Sequence, residues 1–255
     1  MVNTTHFYFT KKANYLSQYG HRPYNIHPGS REPYLSADKA LVLATLAFIL
    51  GLKDPYTEGH VRRVAVYAGR LAARLGLHPD EVNDIRLGGL LHDVGKIGLS
   101  DRIFRHKEVS LSKQMTAEVR RHPYIGRAIL KQFKFPPHVL DYVLYHHERI
   151  DGSGYPCGLK ADQIPLGAKI ISVADCFDAI VTDRPYQKGK GLTEALATLE
   201  HLSGKFLCPD IVDIFSAEIL AHGKIGALPK KHYALRLSLD TKDHQFGRKN
   251  TTCEH

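Results

Sequence analysis

Apolar residues recur at helical spacing through most of this chain, and this feature restricts the fold more than any other. Over residues 57–75 they follow one another at intervals of three and four, and Gly76 ends the pattern. The segment 79–92 opens with a proline and two acidic residues, which are favourable at a helix N-terminus. The other predicted helices span 36–50, 113–121, 124–133, 137–147, 166–181, 193–202 and 210–221.

Strand patterns are scarce by comparison. Alternation of apolar and polar residues is found near the end of the chain, where Tyr233–Leu239 ("YALRLSL") is predicted to form one strand. The chain is therefore predicted to be all-α. We expect an irregular N-terminal extension over residues 1–35, one helical domain over 36–225 and a basic C-terminal tail over 226–255.

The charge and the cysteines narrow the functional classes. A net charge of +9 favours polyanionic partners, but the chain lacks the mixture of aromatic and basic residues on which nucleic-acid bases stack, so no nucleic acid is expected. Four cysteines stand far apart and form no CxxC pair, which argues against a cysteine zinc site or a disulfide scaffold. They are Cys157, Cys176, Cys208 and Cys253.

The apolar segments predict a cytoplasmic protein without a membrane span. The N-terminus lacks the apolar core of a signal peptide. The longest apolar run, residues 40–52, is shorter than the roughly 20 residues that cross a bilayer. It reads as a buried helix.

Histidines and carboxylates occur where apolar helices end. His92 and Asp93 close one helix in "LLHDVGKIG", and His146 and His147 follow the apolar "VLDYVLY" and open the loop "HHERIDGSGYP". Adjacent helical residues point about 100° apart, so such a pair does not share one apolar stripe. A metal or a phosphate would explain the pair, because either can be approached from two directions.

Other polar residues stand within apolar helices. Asp175 lies in "ISVADCFDAI", with Asp178 one turn later, while His60 lies on a helix and His122 precedes a proline. Singly, each is better explained as a helix cap, an ion-pair partner or a core histidine. Burying all of them without partners would cost a few kcal/mol of folding free energy for each side chain. A shared metal centre would bind them together and so avoid that cost. The number of ligands suits two ions bridged by a carboxylate, and imidazole with carboxylate suits Fe, Mn, Zn or Ni.

These blocks resemble a known family. "LLHDVGK" followed by "HHERIDGSGYP" is similar to the HD superfamily of metal-dependent phosphohydrolases, and specifically to its HD-GYP branch, from about Ser36 to about Gly223. "HPYIGRAIL", "ADCFDAIVTDRPY" and "GKFLCPDIVDIF" extend the resemblance. It implies an HD-domain helical bundle around a dinuclear metal site that hydrolyses cyclic di-GMP. The site would hold two divalent ions, with Fe or Mn expected first and Zn or Ni as alternatives. A GGDEF-domain protein and a second copy of the chain are the implied protein partners.

The resemblance also implies the site residues. Asp93 would bridge the two ions, and a bridging hydroxide would attack the 3′–5′ phosphodiester. The product would be linear pGpG, or GMP if a second hydrolysis follows. Asp93 and Lys96 are the implied catalytic residues. The implied substrate-binding residues are Lys96, Tyr155, Arg184 and Gln187. The implied metal ligands are His60, His92, Asp93, His122, His146, His147 and Asp175.

Some of these roles have simpler alternatives. Lys96 suits a phosphate oxygen, or it is a surface cation near a helix C-terminus. Gly152 and Gly154 either let the backbone approach the nucleotide or only shape a turn.

Two positions depart from the family. Members of the family that bind three metal ions carry a glutamate four residues before the first ligand, His60, and Tyr56 stands at that position here. Glu58 lies on a different part of the helix, so two ions are expected. Gln187 replaces a residue that is often basic, which could weaken binding of cyclic di-GMP or shift the preference to another phosphodiester.

Three functions remain open from the sequence. The first is a cyclic di-GMP phosphodiesterase, the second an HD phosphohydrolase for another nucleotide or cyclic dinucleotide. The third is a non-catalytic module that binds cyclic di-GMP or a GGDEF partner, although the chain keeps a full dinuclear ligand set. The aromatic-rich extension 1–35 is predicted to regulate or to dimerise the protein.

Overall fold

The structure is a computed structural model, and it describes residues 37–105, 110–183 and 188–224. These residues form ten α-helices and two short 3-10 helices, and they contain isolated β-bridges but no strand, in agreement with the all-α prediction. Both predicted extensions, the predicted strand Tyr233–Leu239, Arg184 and Gln187 lie outside the described residues. The domain boundaries at 36 and 225 therefore stay predictions.

The helices follow in this order: α1 Ala37–Lys53, α2 Pro55–Leu75, α3 Pro79–Leu91, a 3-10 helix Val94–Gly98, α4 Asp101–Arg105, α5 Lys113–Val119, α6 His122–Gln132, α7 Pro137–Tyr145, a 3-10 helix Ala161–Gln163, α8 Leu166–Val181, α9 Leu192–Leu202 and α10 Pro209–His222.

The predicted helix boundaries agree best with the observed ones where neighbouring residues in the sequence determine the end of the helix. Helix α8 has the predicted bounds, and α2 ends at Gly76, whose φ of 81° places it in the left-handed region that terminates helices. Helix α1 instead continues through Gly51 to Lys53. There the Lys53 ammonium donates to the carbonyl oxygens of Ile97 and Leu99 at 2.9 and 3.0 Å, a tertiary contact that the sequence pattern does not reveal.

Two groups of helices build the core. In the first, α2 packs against α3 and α8, and α10 closes the group. Its centre is a triangle of rings in which Tyr67 meets Phe177 and Phe215 edge-to-face at 5.2 and 5.9 Å, an arrangement that favours aromatic pairs. In the second, α6 packs against α7 and the 3-10 helix Val94–Gly98, and α7 packs against α3. Side chains from both groups meet at the candidate site.

Gly95 allows the second group to close. A Cβ atom at this position would lie 1.9 Å from the carbonyl oxygen of His122 and 2.5 Å from the amide nitrogen of Gly126. The 3-10 helix thus lies directly on the first turn of α6. This contact brings the backbone after Asp93 against the backbone of His122.

Two further predictions concern disulfide bonds and membrane-spanning helices. Cys157, Cys176 and Cys208 are free thiols, as the spacing predicted, and Cys253 lies outside the described residues. Among the described helices, none combines the length and apolar character that a bilayer crossing requires.

Candidate metal centre

Three of the predicted ligands stand where a helix ends or begins, and they share one orientation. Nδ1 of His92 donates to the carbonyl oxygen of Gly89 at 2.7 Å, and Nδ1 of both His122 and His146 makes the same bond, at 2.8 Å, to the residue three positions earlier. These acceptors belong to last turns, where carbonyl oxygens lack helical partners. With the proton held on Nδ1, Nε2 is left as the free lone pair.

Nε2 atoms of three histidines face the carboxylate of Asp93. Its Oδ2 lies 3.4 Å from Nε2 of His92 and 3.8 Å from Nε2 of His60. Its Oδ1 lies 3.5 Å from Nε2 of His122. The two oxygens of one carboxylate therefore face two separate groups of imidazoles, which is the geometry that a bridging ligand needs.

His60 is oriented by side chains rather than by the backbone. Its Nδ1 lies 2.8 Å from Oδ2 of Asp178, and its Nε2 lies 3.1 Å from Oδ1 of Asp175. Asp178 is held in turn by Arg63, whose Nε and Nη2 donate to it at 2.7 and 3.0 Å. A carboxylate behind a histidine fixes the ring and raises its basicity, as in many metal sites.

Asp178 is not among the predicted ligands, and no role was predicted for Arg63. The available signal was helical spacing, since each residue lies three positions after a predicted ligand and so on a neighbouring part of the same helix face.

Two groups of side chains could each hold a metal ion. The ligand atoms within each group lie within 4.8 Å of one another. Nε2 of His92 is buried without a hydrogen-bond partner among the described residues, and such a burial is costly unless something else satisfies the atom. A divalent cation fits this donor set. One group is His60, His92 and Asp93, and the other is His122, His146 and His147.

Burial keeps one group of imidazoles neutral. It lowers the pKa of His122 to about 4 and the pKa of His147 to about 3, and it holds the pKa of His146 well below its usual range. Neighbouring histidines act in the same direction. Neutral imidazole is the form that binds metal, so these three rings are ready as ligands without losing a proton.

The other group is rich in negative charge. Burial alone would lower the pKa of His60, but hydrogen bonds to Asp175 and Asp178 outweigh it and raise the pKa to about 9. Burial would likewise raise the pKa of Asp93, but the charges of Lys96 and the surrounding histidines hold it well below its usual range. These carboxylates are ionised at neutral pH, and they favour a cation between them.

Lys96 and Tyr155 also lie at the centre. Nζ of Lys96 is 2.7 Å from Oδ2 of Asp93, so this lysine is part of the site rather than a cation on a remote surface. The ring of Tyr155 stacks on His147 with 4.7 Å between centroids and 29° between planes. Their predicted contacts with a substrate stay predictions.

A buried glutamate holds the loop after the histidine pair. Glu148 accepts hydrogen bonds from the backbone amides of Cys157 at 2.6 Å and Leu159 at 3.0 Å. The amide of Tyr155 donates to the carbonyl oxygen of His147 at 3.2 Å. Together these bonds fold the loop back towards His147, a role that was not predicted for Glu148.

The loop glycines are explained by this turn. A Cβ atom at Gly154 would lie 2.4 Å from the amide nitrogen of Arg149 and 2.5 Å from Cα of Glu148. Gly152 has a φ of 81°, which side chains disfavour. Of the two sequence-based explanations for these glycines, turn formation is the one that the geometry supports.

The position that distinguishes trinuclear members is filled by an aromatic ring. Tyr56 stacks on His60 with 5.8 Å between centroids. Glu58 points to the exposed surface, where it pairs with Arg62 at 2.9 Å. The expectation of two ions rather than three stays a prediction.

Comparison with known proteins places the chain in a family. The model of the HD domain family matches residues 44–210. A cyclic di-GMP phosphodiesterase of Thermotoga maritima is 40% identical over 176 residues, which are 68% of this chain and 48% of that protein. The cyclic di-GMP phosphodiesterase response regulator RpfG of Xanthomonas campestris is 39% identical over 173 residues, which are 67% of this chain and 46% of that protein.

Solved structures show the same fold. The crystal structure of a cyclic GMP-AMP specific phosphodiesterase of Vibrio cholerae matches with a TM-score of 0.55 at 17% identity, over 71% of this chain and 48% of that chain. The present chain spans about half the length of the relatives that it matches. With the HD and GYP motifs inside the matched region, the chain belongs to the HD domain family, in its HD-GYP branch.

Proposed function

We propose that this chain is a metal-dependent phosphodiesterase that hydrolyses cyclic di-GMP to linear pGpG, or to GMP if a second hydrolysis follows. The observation that carries the proposal is the position of Asp93, whose two oxygens face two separate groups of imidazoles. Membership of a family whose relatives are named cyclic di-GMP phosphodiesterases supports the choice of substrate.

The proposed metal ligands are the seven residues that the resemblance implies, with Asp93 bridging and with Fe or Mn as the ions, Zn and Ni being compatible with the same donors. When bound, two such ions supply an activated water and positive charge for the phosphoryl group. The ligands are His60, His92, Asp93, His122, His146, His147 and Asp175.

The remaining roles belong to side chains around the ions. Lys96 is proposed to hold a non-bridging phosphate oxygen, because its ammonium already lies beside Asp93 and its side chain is 26% exposed. Tyr155 is proposed to line the substrate pocket. Arg184 and Gln187 are proposed to contact the substrate on the basis of the motif "DRPYQ" alone.

The test is one assay on protein purified without oxygen and supplied with Fe or Mn. Cyclic di-GMP is added, and the products are separated by chromatography. We expect pGpG or GMP from the unaltered chain and none from Asp93→Ala. Asp101→Ala is the matched control, because it removes a carboxylate that is 64% exposed and lies on α4.

The other outcomes are informative as well. Absence of product with two ions bound would refute cyclic di-GMP as the substrate and point to another phosphodiester. Absence of both product and metal would refute the enzyme and favour a binding module.

A second candidate substrate is another cyclic dinucleotide. Gln187 lacks the positive charge that is common at its position, and the same fold occurs in a phosphodiesterase named for cyclic GMP-AMP. Competition between cyclic di-GMP and 3′3′-cyclic GMP-AMP, measured as the ratio of their kcat/KM values, decides between them.

The proposed protein partners are a GGDEF-domain protein and a second copy of this chain, both on the resemblance alone. Analytical ultracentrifugation at several concentrations tests the dimer. Binding to a purified GGDEF domain tests the other partner, and a single monomeric species without binding would contradict both.

A further inference from the structure

An exposed arginine lies over the tyrosine of the candidate site. The guanidinium of Arg120 is 5.2 Å from the centroid of the Tyr155 ring, a distance at which a cation and an aromatic ring attract each other. Tyr155 is itself stacked on His147, one of the proposed ligands. Arg120 directly follows α5 and is exposed to solvent. No carboxylate in the part of the chain that the structure describes pairs with this guanidinium. An exposed positive charge therefore stands beside Tyr155, at what we call the mouth of the candidate site.

Charged groups of both signs surround Tyr155. Burial raises the pKa of Tyr155, and the carboxylates Asp93 and Asp175 raise it further. The charges of Arg120 and Arg149 act to lower the same pKa. The tyrosine thus has acidic groups of the metal centre within electrostatic reach and arginines near it as well.

The two arginines differ in what they contact. The guanidinium of Arg149 is packed 4.3 Å from the ring of Phe206, and the neighbouring amide of Ile150 donates to the Phe206 carbonyl oxygen. Arg149 is therefore part of the contact between two loops. Arg120 covers a ring that borders the centre, so its charge is available to a bound molecule.

A cyclic dinucleotide carries a second negatively charged phosphodiester that the guanidinium of Arg120 could bind. Its ring contains two phosphodiesters, and when one of them is at the metal ions the other must lie away from them. A guanidinium offers paired N–H donors to a phosphate and stacks on aromatic rings at the same time. A group with both properties suits the outer phosphate of a substrate that enters past Tyr155.

We propose that Arg120 is a specificity-determining residue that binds the second phosphodiester of the cyclic dinucleotide, the one not undergoing hydrolysis. The assignment rests on the proposed function. It predicts that Arg120 matters only for substrates that carry a second phosphate, because its contact lies outside the reacting group.

The test compares two substrates and two variants of the metal-loaded full chain. The substrates are cyclic di-GMP and bis(4-nitrophenyl) phosphate, which has a single phosphodiester. Arg120→Gln removes the charge from the mouth. Lys131→Gln is the control, since it removes one charge from an exposed position nine residues beyond His122 on α6, about 14 Å along the axis.

We expect Arg120→Gln to raise the KM for cyclic di-GMP about tenfold or more with little change in kcat, the effect of losing one charge-assisted hydrogen bond. The salt dependence of that KM should become weaker, and Arg120→Lys should restore part of the affinity. Turnover of bis(4-nitrophenyl) phosphate should stay within twofold of the unaltered chain, and Lys131→Gln should change neither substrate.

Three results would overturn the assignment. Equal losses on both substrates would mean that Arg120 only supports the Tyr155 stack. An unchanged KM for cyclic di-GMP would mean that it does not contact the substrate. If the unaltered chain hydrolyses bis(4-nitrophenyl) phosphate but not cyclic di-GMP, the proposed function fails and this assignment fails with it.

Discussion

Replacing Asp178 by asparagine probes the side chain that orients His60. The native carboxylate accepts three hydrogen bonds, two from Arg63 and one from Nδ1 of His60, and it is fully buried. Asparagine has nearly the same shape but only one acceptor oxygen. Its amide group must therefore face a donor, either on Arg63 or on His60, and at least one native bond is lost.

The expected loss has two parts. Removing one partner of a buried ion pair costs about 3–5 kcal/mol, and we expect about 3 kcal/mol in the free energy of unfolding, because the Arg63 side chain keeps 17% exposure and the amide retains one bond. The metal affinity should fall about 10–100-fold, as is typical when the partner behind a ligating histidine is lost.

Urea unfolding of the chelator-treated protein measures the first part, and competition with a chelator of known affinity measures the second. Glu58→Gln is the matched control, because it breaks an arginine–carboxylate pair of 2.9 Å that also involves α2 but is exposed. That change should cost about 0.5 kcal/mol or less and leave metal binding unaltered. A stability and a metal affinity of Asp178→Asn that both match the control would refute the reasoning.

Three further perturbations test the packing around the site. Gly95→Ala places a Cβ atom 1.9 Å from the His122 carbonyl oxygen and should cost about 3 kcal/mol or more in urea unfolding, whereas Gly191→Ala, with open space around its Cβ, should cost far less; equal costs would contradict this. Glu148→Gln should accelerate hydrogen exchange at the Cys157 amide and raise the KM, because a neutral acceptor replaces the charged one, and native protection would disprove the clamp. Chelation should lower the Tm, since free metal at 100 times its Kd stabilises by about 2.7 kcal/mol, and an unchanged Tm would mean that no metal binds the folded chain.

The sequence determined the helical class and most helix positions, because those signals are local. Apolar spacing placed α8 at its observed bounds, and Gly76 ended α2 where it was expected to. The same spacing put some of the predicted ligands at helix ends. His92 and His146 follow α3 and α7 directly, and their rings use the last carbonyl oxygens of those helices, a consequence of position along the chain alone.

Only the tertiary structure decided how these residues act together. His60 and Asp178 are separated by 118 positions, and no local pattern links a histidine on one helix to a carboxylate so far away. The same holds for Lys53, which anchors the end of α1 through carbonyl oxygens more than 40 positions later. Hydrogen bonds between distant segments depend on packing, so the sequence could name candidate ligands but not the distant side chains that orient them.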